Sequence, residues 1–161
     1  MSRTLIDQYA DGAEKLAQSI RSLTESDLRQ LPDPAANVGK WSIQQVVLHI
    51  ADCDAVFADR IKRVISEDNP SLLGFDENKW EAALHYEEQS AADAAKIFEL
   101  TRKQLAKVLH KLPESAFARA GVHSESGKQT LKDVIQKAVN HLEHHLQFVH
   151  RKRARMGKEM W

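Results

Sequence analysis

Residues Thr130-Leu131-Lys132-Asp133-Val134-Ile135-Gln136-Lys137-Ala138-Val139-Asn140-His141-Leu142-Glu143-His144-His145-Leu146-Gln147-Phe148-Val149 read as one long amphipathic helix. Leu131, Val134, Ile135, Ala138, Leu142, Leu146 and Val149 recur at three- and four-residue steps, which gathers them on one helix face. Thr130 stands directly before this stripe and three residues before Asp133, a helix-start signal. Three more segments share the period. Residues 2–30 carry Leu5, Tyr9, Leu16, Ile20 and Leu23. Residues 41–68 carry Ile43, Val46, Val47, Ile50, Phe57, Ile61, Val64 and Ile65, with Ser42 and Gln45 spaced as a capping box. Residues 89–112 carry Ala94, Ile97, Phe98, Leu105, Val108, Leu109 and Leu112.

None of the four segments alternates with a period of two, and all are rich in good helix formers. Pro32, Pro34, Pro70 and Pro113 fall between them. Gly12 interrupts a helical pattern, at about 1 kcal/mol relative to Ala. The expected fold is all-α: one four-helix bundle over residues 1–161, with no sheet. It has two long connections, 70–88 and 113–128. The first carries a short helix capped by Asp76 and running to about Leu84.

The 161 residues include 23 Lys and Arg against 23 Asp and Glu, so the net charge is zero. That balance argues against a global electrostatic grip on nucleic acid or an anionic membrane. The basic run Arg151-Lys152-Arg153-Ala154-Arg155 reads as a solvated helix end, where cations complement the dipole. A single cysteine excludes an intramolecular disulfide and a cysteine-based zinc knuckle. No apolar run reaches the ~18 residues of a membrane span, and the first residues lack a signal-peptide core. A soluble cytoplasmic protein is the expectation.

Eight histidines are present, and His141, His144 and His145 lie within five positions. On a helix, His141 and His145 share a face, the spacing with which two imidazoles converge on one ion. His145 falls within the apolar stripe and His141 on its border, whereas His144 falls outside it. An unpaired buried polar group costs about 1–3 kcal/mol, and a metal ion satisfies both imidazoles at once. His49, on the flank of the second stripe, is the candidate third ligand. Asp52 follows as a candidate partner for an imidazole N–H, and Cys53 as a fourth ligand, a reactive thiol or a small buried hydrophobe. His123, beside Gly121 and Gly127, is placed to face the mouth of the site. Trp41 and Trp80 are placed to wall a cleft or seal the bundle end. His85 and His110 read as surface residues.

The run Gly39-Lys40-Trp41-Ser42-Ile43-Gln44-Gln45-Val46-Val47-Leu48-His49-Ile50-Ala51-Asp52 resembles the second-helix motif of the DinB-like proteins, in particular the YfiT-like group. The likeness continues through Arg60, Glu67-Asp68-Asn69-Pro70, Phe75-Asp76-Glu77 and Trp80. It resumes at His123-Ser124-Glu125-Ser126-Gly127 and Thr130-Leu131, and ends at His141-Leu142-Glu143-His144-His145. The resemblance implies a four-helix bundle and one divalent ion, nickel or zinc, on His49, His141 and His145. It also implies a small-molecule substrate, a homodimer and, in some members, transfer chemistry with a low-molecular-weight thiol. The chain departs from the group's Tyr-Ala-Trp-His run, having Ala138-Val139-Asn140-His141, which leaves the histidines in place and changes the pocket beside them.

Three functions follow from these residues, the last a metal-free helical interaction protein. The first is a metal-dependent transferase or hydrolase, in which the ion generates a nucleophile near neutral pH. Asp52 and His123 are its candidate general bases, and Trp41, Cys53, Trp80 and His144 its candidate pocket residues. The second is a non-catalytic metal- or metabolite-sensing module whose coordination sphere is closed.

Overall fold

A computed structural model describes residues 2–160. The helices are α1 (Ser2–Asp11), α2 (Lys15–Ser19), α3 (Glu25–Arg29), α4 (Ile43–Ser66), α5 (Glu77–Ala83), α6 (Ala91–Leu109) and α7 (Leu131–Arg155). Three short strands, β1 (Ser71–Leu72), β2 (Ala120–His123) and β3 (Gly127–Thr130), lie in the two long connections. Helices α6 and α7 each pack against both α1 and α4, which closes the bundle.

The expected helix starts are present. Ser42 Oγ accepts the Gln45 N–H while the Gln45 side chain accepts the Ser42 N–H. Thr130 and Asp133 form the same reciprocal box at α7. Asp76 caps α5 by accepting the N–H groups of Asn78 and Lys79.

The first segment differs from the single helix expected. It breaks after Asp11, where a Cβ on Gly12 would stand 2.5 Å from Arg102 Nη1 and 2.9 Å from Leu142 Cδ2. Only a glycine lets the chain approach α6 and α7 this closely. A second break at Ser22, with φ at 64°, precedes the Thr24–Asp27 capping box of α3.

The absence of a sheet is also corrected. β1 pairs in parallel with β2 (Ser71 with Val122, Leu72 with His123), and β2 pairs antiparallel with β3 (Ala120 with Thr130, His123 with Gly127). Strands of two to four residues flanked by turns are too short to show a two-residue period. Gly121 allows the contact, because a Cβ there would stand 2.7 Å from the Pro70 carbonyl oxygen. Arg119 fastens the sheet to the end of α4 by donating to the carbonyls of Val64 and Glu67.

The basic run at the end of α7 is not wholly solvated. Lys152 and Arg153 are buried. Lys152 donates to the carbonyls of Val38 and Gly39, and Arg153 to those of Ser19, Arg21 and Lys158. Both hold loops against the helix.

Two apolar clusters fill the interior. One gathers Leu5, Tyr9, Ile61, Leu109, Leu131 and Ile135; the other gathers Leu16, Ile43, Val47, Ile50, Phe98 and Leu142. Between them lies a buried ion pair. Arg102 Nε and Nη2 donate to Asp54 Oδ1 at 2.9 and 2.7 Å, and Nη2 also donates to the Ala138 carbonyl at 2.9 Å. The guanidinium is sandwiched by Tyr9 and Phe98, at 4.6 and 4.5 Å from their ring centres. One side chain of α6 thus ties α1, α4 and α7 at mid-height.

Arg102→Met leaves the Asp54 carboxylate buried without its partner. The expected loss is about 3–5 kcal/mol, which for a chain of this size lowers Tm by about 10 °C. Pairing it with Asp54→Leu should restore much of the loss. Thermal unfolding followed by circular dichroism checks both.

Candidate metal centre

Helices α4 and α7 bring His49, His141 and His145 to one point. Residues 141 and 145 are one turn apart on α7, and His49 faces them across the bundle. His49 Nε2 lies 3.1 Å from His141 Nε2 and 3.2 Å from His145 Nε2. The three rings stand with centres 4.4 to 5.0 Å apart and are mutually tilted. His49, expected on a flank, is 1% exposed, whereas His141 and His145 are half-buried.

Burial lowers all three imidazole pKa values. His49 and His145 fall to about 4 and His141 to about 3. Neighbouring imidazoles add to the effect, because each opposes the protonation of the next. The rings are therefore neutral at pH 7, the form in which nitrogen ligates a metal. Two nitrogens ~2.0–2.1 Å from one ion at a tetrahedral angle stand about 3.3 Å apart. The observed separations fit that requirement. Three converging Nε2 atoms also exceed what neutral rings can pair among themselves, since each neutral ring carries one N–H.

Two further donors approach. Glu77 Oε2, on α5, is 3.8 Å from His49 Nε2, and burial with the nearby Asp76 raises the Glu77 pKa. Single donor atoms of His49, Cys53, Glu77 and His141 all lie within 4.8 Å of one another. Cys53 Sγ is 3.6 and 3.7 Å from the two ring nitrogens of His49. A sulfur equidistant from both lies off the lone-pair axis of Nε2. Burial also pushes the Cys53 thiol pKa well above its usual value.

The other sequence candidates are more dispersed. Asp52 does not accept an imidazole N–H in these contacts; it accepts the Tyr86 hydroxyl at 2.5 Å. His123 closes β2 rather than sitting in a loop, and its Nδ1 accepts the N–H groups of Glu125 and Ser126. Its pKa is lowered by burial and then by Arg60 and Lys137. His144 is exposed and stacks edge-on against His145 and Phe148. Trp41 tilts over His49 with ring centres 5.0 Å apart. It lines a 230 Å³ apolar slot with Val46, His145 and Phe148. Trp80 packs on Phe75 at 4.4 Å, across a separate cleft from Asp52.

Glu77 was not among the residues assigned a role from sequence. The signal was present: Asp76 starts a helix, and Glu77 and Trp80 at i and i+3 share its face. Gln45 holds that helix over the site by donating to Glu81 at 2.6 Å.

The sequence profile of the DinB superfamily matches residues 6–149. A Bacillus cereus protein named "Putative metal-dependent hydrolase" is 28% identical over 157 residues, covering 98% of this chain and 88% of its own. YfiT of Bacillus subtilis, which carries the same name, is 25% identical over 144 residues, covering 89% and 79%. The solved structure of YfiT, described as an unusual four-helix bundle topology, matches this fold with a TM-score of 0.85. The match covers 96% of this chain and 87% of that one at 23% identity.

The lowered imidazole pKa values predict how stability varies with pH. Between the ordinary value of 6.5 and about 4, the unfolded chain holds protons on these rings that the folded, metal-free chain does not. Stability therefore falls as pH drops through that window, by on the order of 1 kcal/mol for His49 alone at pH 5. Urea unfolding of metal-free protein at pH 7 and pH 5 should show the drop, and His49→Leu should shrink it.

Proposed function

The chain belongs to the DinB superfamily, and we propose that it is a divalent-metal-dependent enzyme whose ion rests on Nε2 of His49, His141 and His145. The convergence of these three atoms from two helices carries the reading. The names of its relatives agree with it. Imidazole nitrogen suits zinc and nickel alike. Such an ion lowers the pKa of a bound water or thiol and polarises a carbonyl.

The chain's own residues supply the rest. Three neutral imidazoles leave coordination positions open to substrate. Glu77 is the proton acceptor: it lies beside the imidazoles, and its raised pKa makes it a stronger base than an ordinary carboxylate. Asp52 and His123, the bases expected from sequence, are held by Tyr86 and by the backbone of residues 125–126. The slot beside Trp41, Val46 and Phe148 excludes water from one side of the site and takes an apolar group. Its 230 Å³ compares with the ~150 Å³ that accommodates benzene in an engineered protein cavity.

The reaction is hydrolysis of a small molecule, or S-transfer in which a low-molecular-weight thiol is the nucleophile. The same proposal takes residues 1–161 as one domain acting as a homodimer in the cytoplasm. A second reading, a closed metal-sensing site, draws on the proximity of Cys53 and Glu77 to His49 and His141. The off-axis position of the Cys53 sulfur favours the open, catalytic site.

Metal content and turnover in variants separate the two. His141→Ala and His145→Ala should each lose most bound metal and all activity, and His144→Ala little of either. Glu77→Gln should keep its metal and lose about 10²–10⁴-fold in kcat. Metal lost from Glu77→Gln or Cys53→Ala would instead identify the closed site.

A further inference from the structure

The cations buried in this protein are not equally satisfied. Arg102 has the Asp54 carboxylate, although its Nη1 is unpaired, and Lys152 and Arg153 each donate to two or more carbonyls. Arg60, on α4, is 8% exposed, and its Nη2 donates to the Leu73 carbonyl. Its Nε is buried with no partner, and among the described residues no carboxylate lies within ion-pair distance of it. Glu125 and Asp59 act on the guanidinium through their charge, but neither carboxylate is hydrogen-bonded to it. Asp59 accepts from Arg63 at 2.8 Å, Asp52 accepts from Tyr86, and Glu125 packs over Gly74. A buried guanidinium with no carboxylate bonded to it is costly, and one bond to Leu73 does not need a cation.

Arg60 lines a cleft of about 760 Å³, within the size range of small-molecule sites. Val56, Leu73, Phe75 and Trp80 give the cleft apolar walls. Asp52 and Trp80 mark the end nearest the imidazoles: Asp52 is one turn from His49, and Trp80 is one turn from Glu77. The Arg60 guanidinium carbon is 5.7 Å from the Phe57 ring centre, and that ring is 5.8 Å from the His141 ring. Phe57 thus stands in contact with both Arg60 and the imidazole cluster.

We propose that Arg60 is the anion anchor of this cleft, holding the carboxylate of a small organic acid whose apolar body lies on Phe75 and Trp80. The planar guanidinium suits a planar carboxylate. This assignment rests on the metal-enzyme reading for its function, because it names the substrate class as anionic. The binding itself depends only on Arg60 and the cleft.

Phenylacetate and its neutral analogue phenylacetamide are the probes, titrated into the full chain and followed by NMR shifts of the cleft residues. Phenylacetate should bind at least tenfold more tightly. Arg60→Gln should remove that preference, weakening phenylacetate at least tenfold and phenylacetamide less than twofold. Arg60→Lys should retain a preference for the anion, which keeps the comparison open if Arg60→Gln does not fold. Arg29→Gln, on α3 and paired with Glu25 away from the cleft, should change either affinity less than twofold. In metal-free His141→Ala the preference should persist, so an absent metal and an absent anion site give different results. Equal affinity for the two probes overturns the assignment. So does an unchanged phenylacetate affinity in Arg60→Gln, or phenylacetate binding that disappears in His141→Ala while surviving in Arg60→Gln.

Discussion

The buried pair of Arg102 and Asp54 sets the register on which the rest of this structure depends. The guanidinium reaches α4 through the Asp54 carboxylate and α7 through the Ala138 carbonyl. Those are the two helices that carry the histidines. Asp54 lies five residues beyond His49, and Ala138 lies three before His141, so the clamp sits about one turn from the site on both helices. It accounts for a sequence feature that stands apart from the apolar stripes. Gly12 is required because α1 passes against the guanidinium and Leu142. Desolvating two charges is expensive, and their bonds to three helices, with Tyr9 and Phe98 above and below, offset that cost.

The electrostatics of the site follow from the same burial. Imidazole is the one protein side chain whose charge burial removes within the physiological range. Three of them packed together remain neutral, the form in which imidazole nitrogen ligates a metal. The thiol of Cys53 is pushed the other way and stays protonated. Glu77 is drawn partly out of water by the placement of α5 and becomes a better proton acceptor. One degree of burial therefore produces a nitrogen donor set, a silent thiol and a candidate base.

The long helices and their starts were legible in the sequence, because a three- and four-residue period sustained over twenty residues has few other readings. Ser42 with Gln45, Thr130 with Asp133, and the cap at Asp76 were legible for the same reason: their hydrogen bonds are local. The convergence of His49 with His141 and His145 came from the inward spacing of one pair together with the family motifs. The sheet and the broken first helix were not legible. The short strands of β1 and β2 come from separate connections, and only their meeting defines them. The break at Gly12 comes from contact with Arg102, ninety positions along the chain. Arg60 also went unassigned, since it does not differ locally from an ordinary surface charge, and Glu77 because its shared face with Trp80 does not reveal that α5 lies over the imidazoles. Lys152 and Arg153 read as solvated for want of any sequence sign that loops 38–39 and 19–21 would cover them.

Diffraction from crystals grown with zinc or nickel, collected at the absorption edge of that metal, tests the central claim most directly. The account predicts one anomalous peak per chain, ~2.0–2.1 Å from Nε2 of His49, His141 and His145 if the ion is zinc, with Cys53 outside the coordination sphere. A peak bound by Cys53 and Glu77 with His145 turned away would contradict it, as would three ordered imidazoles with no anomalous density between them.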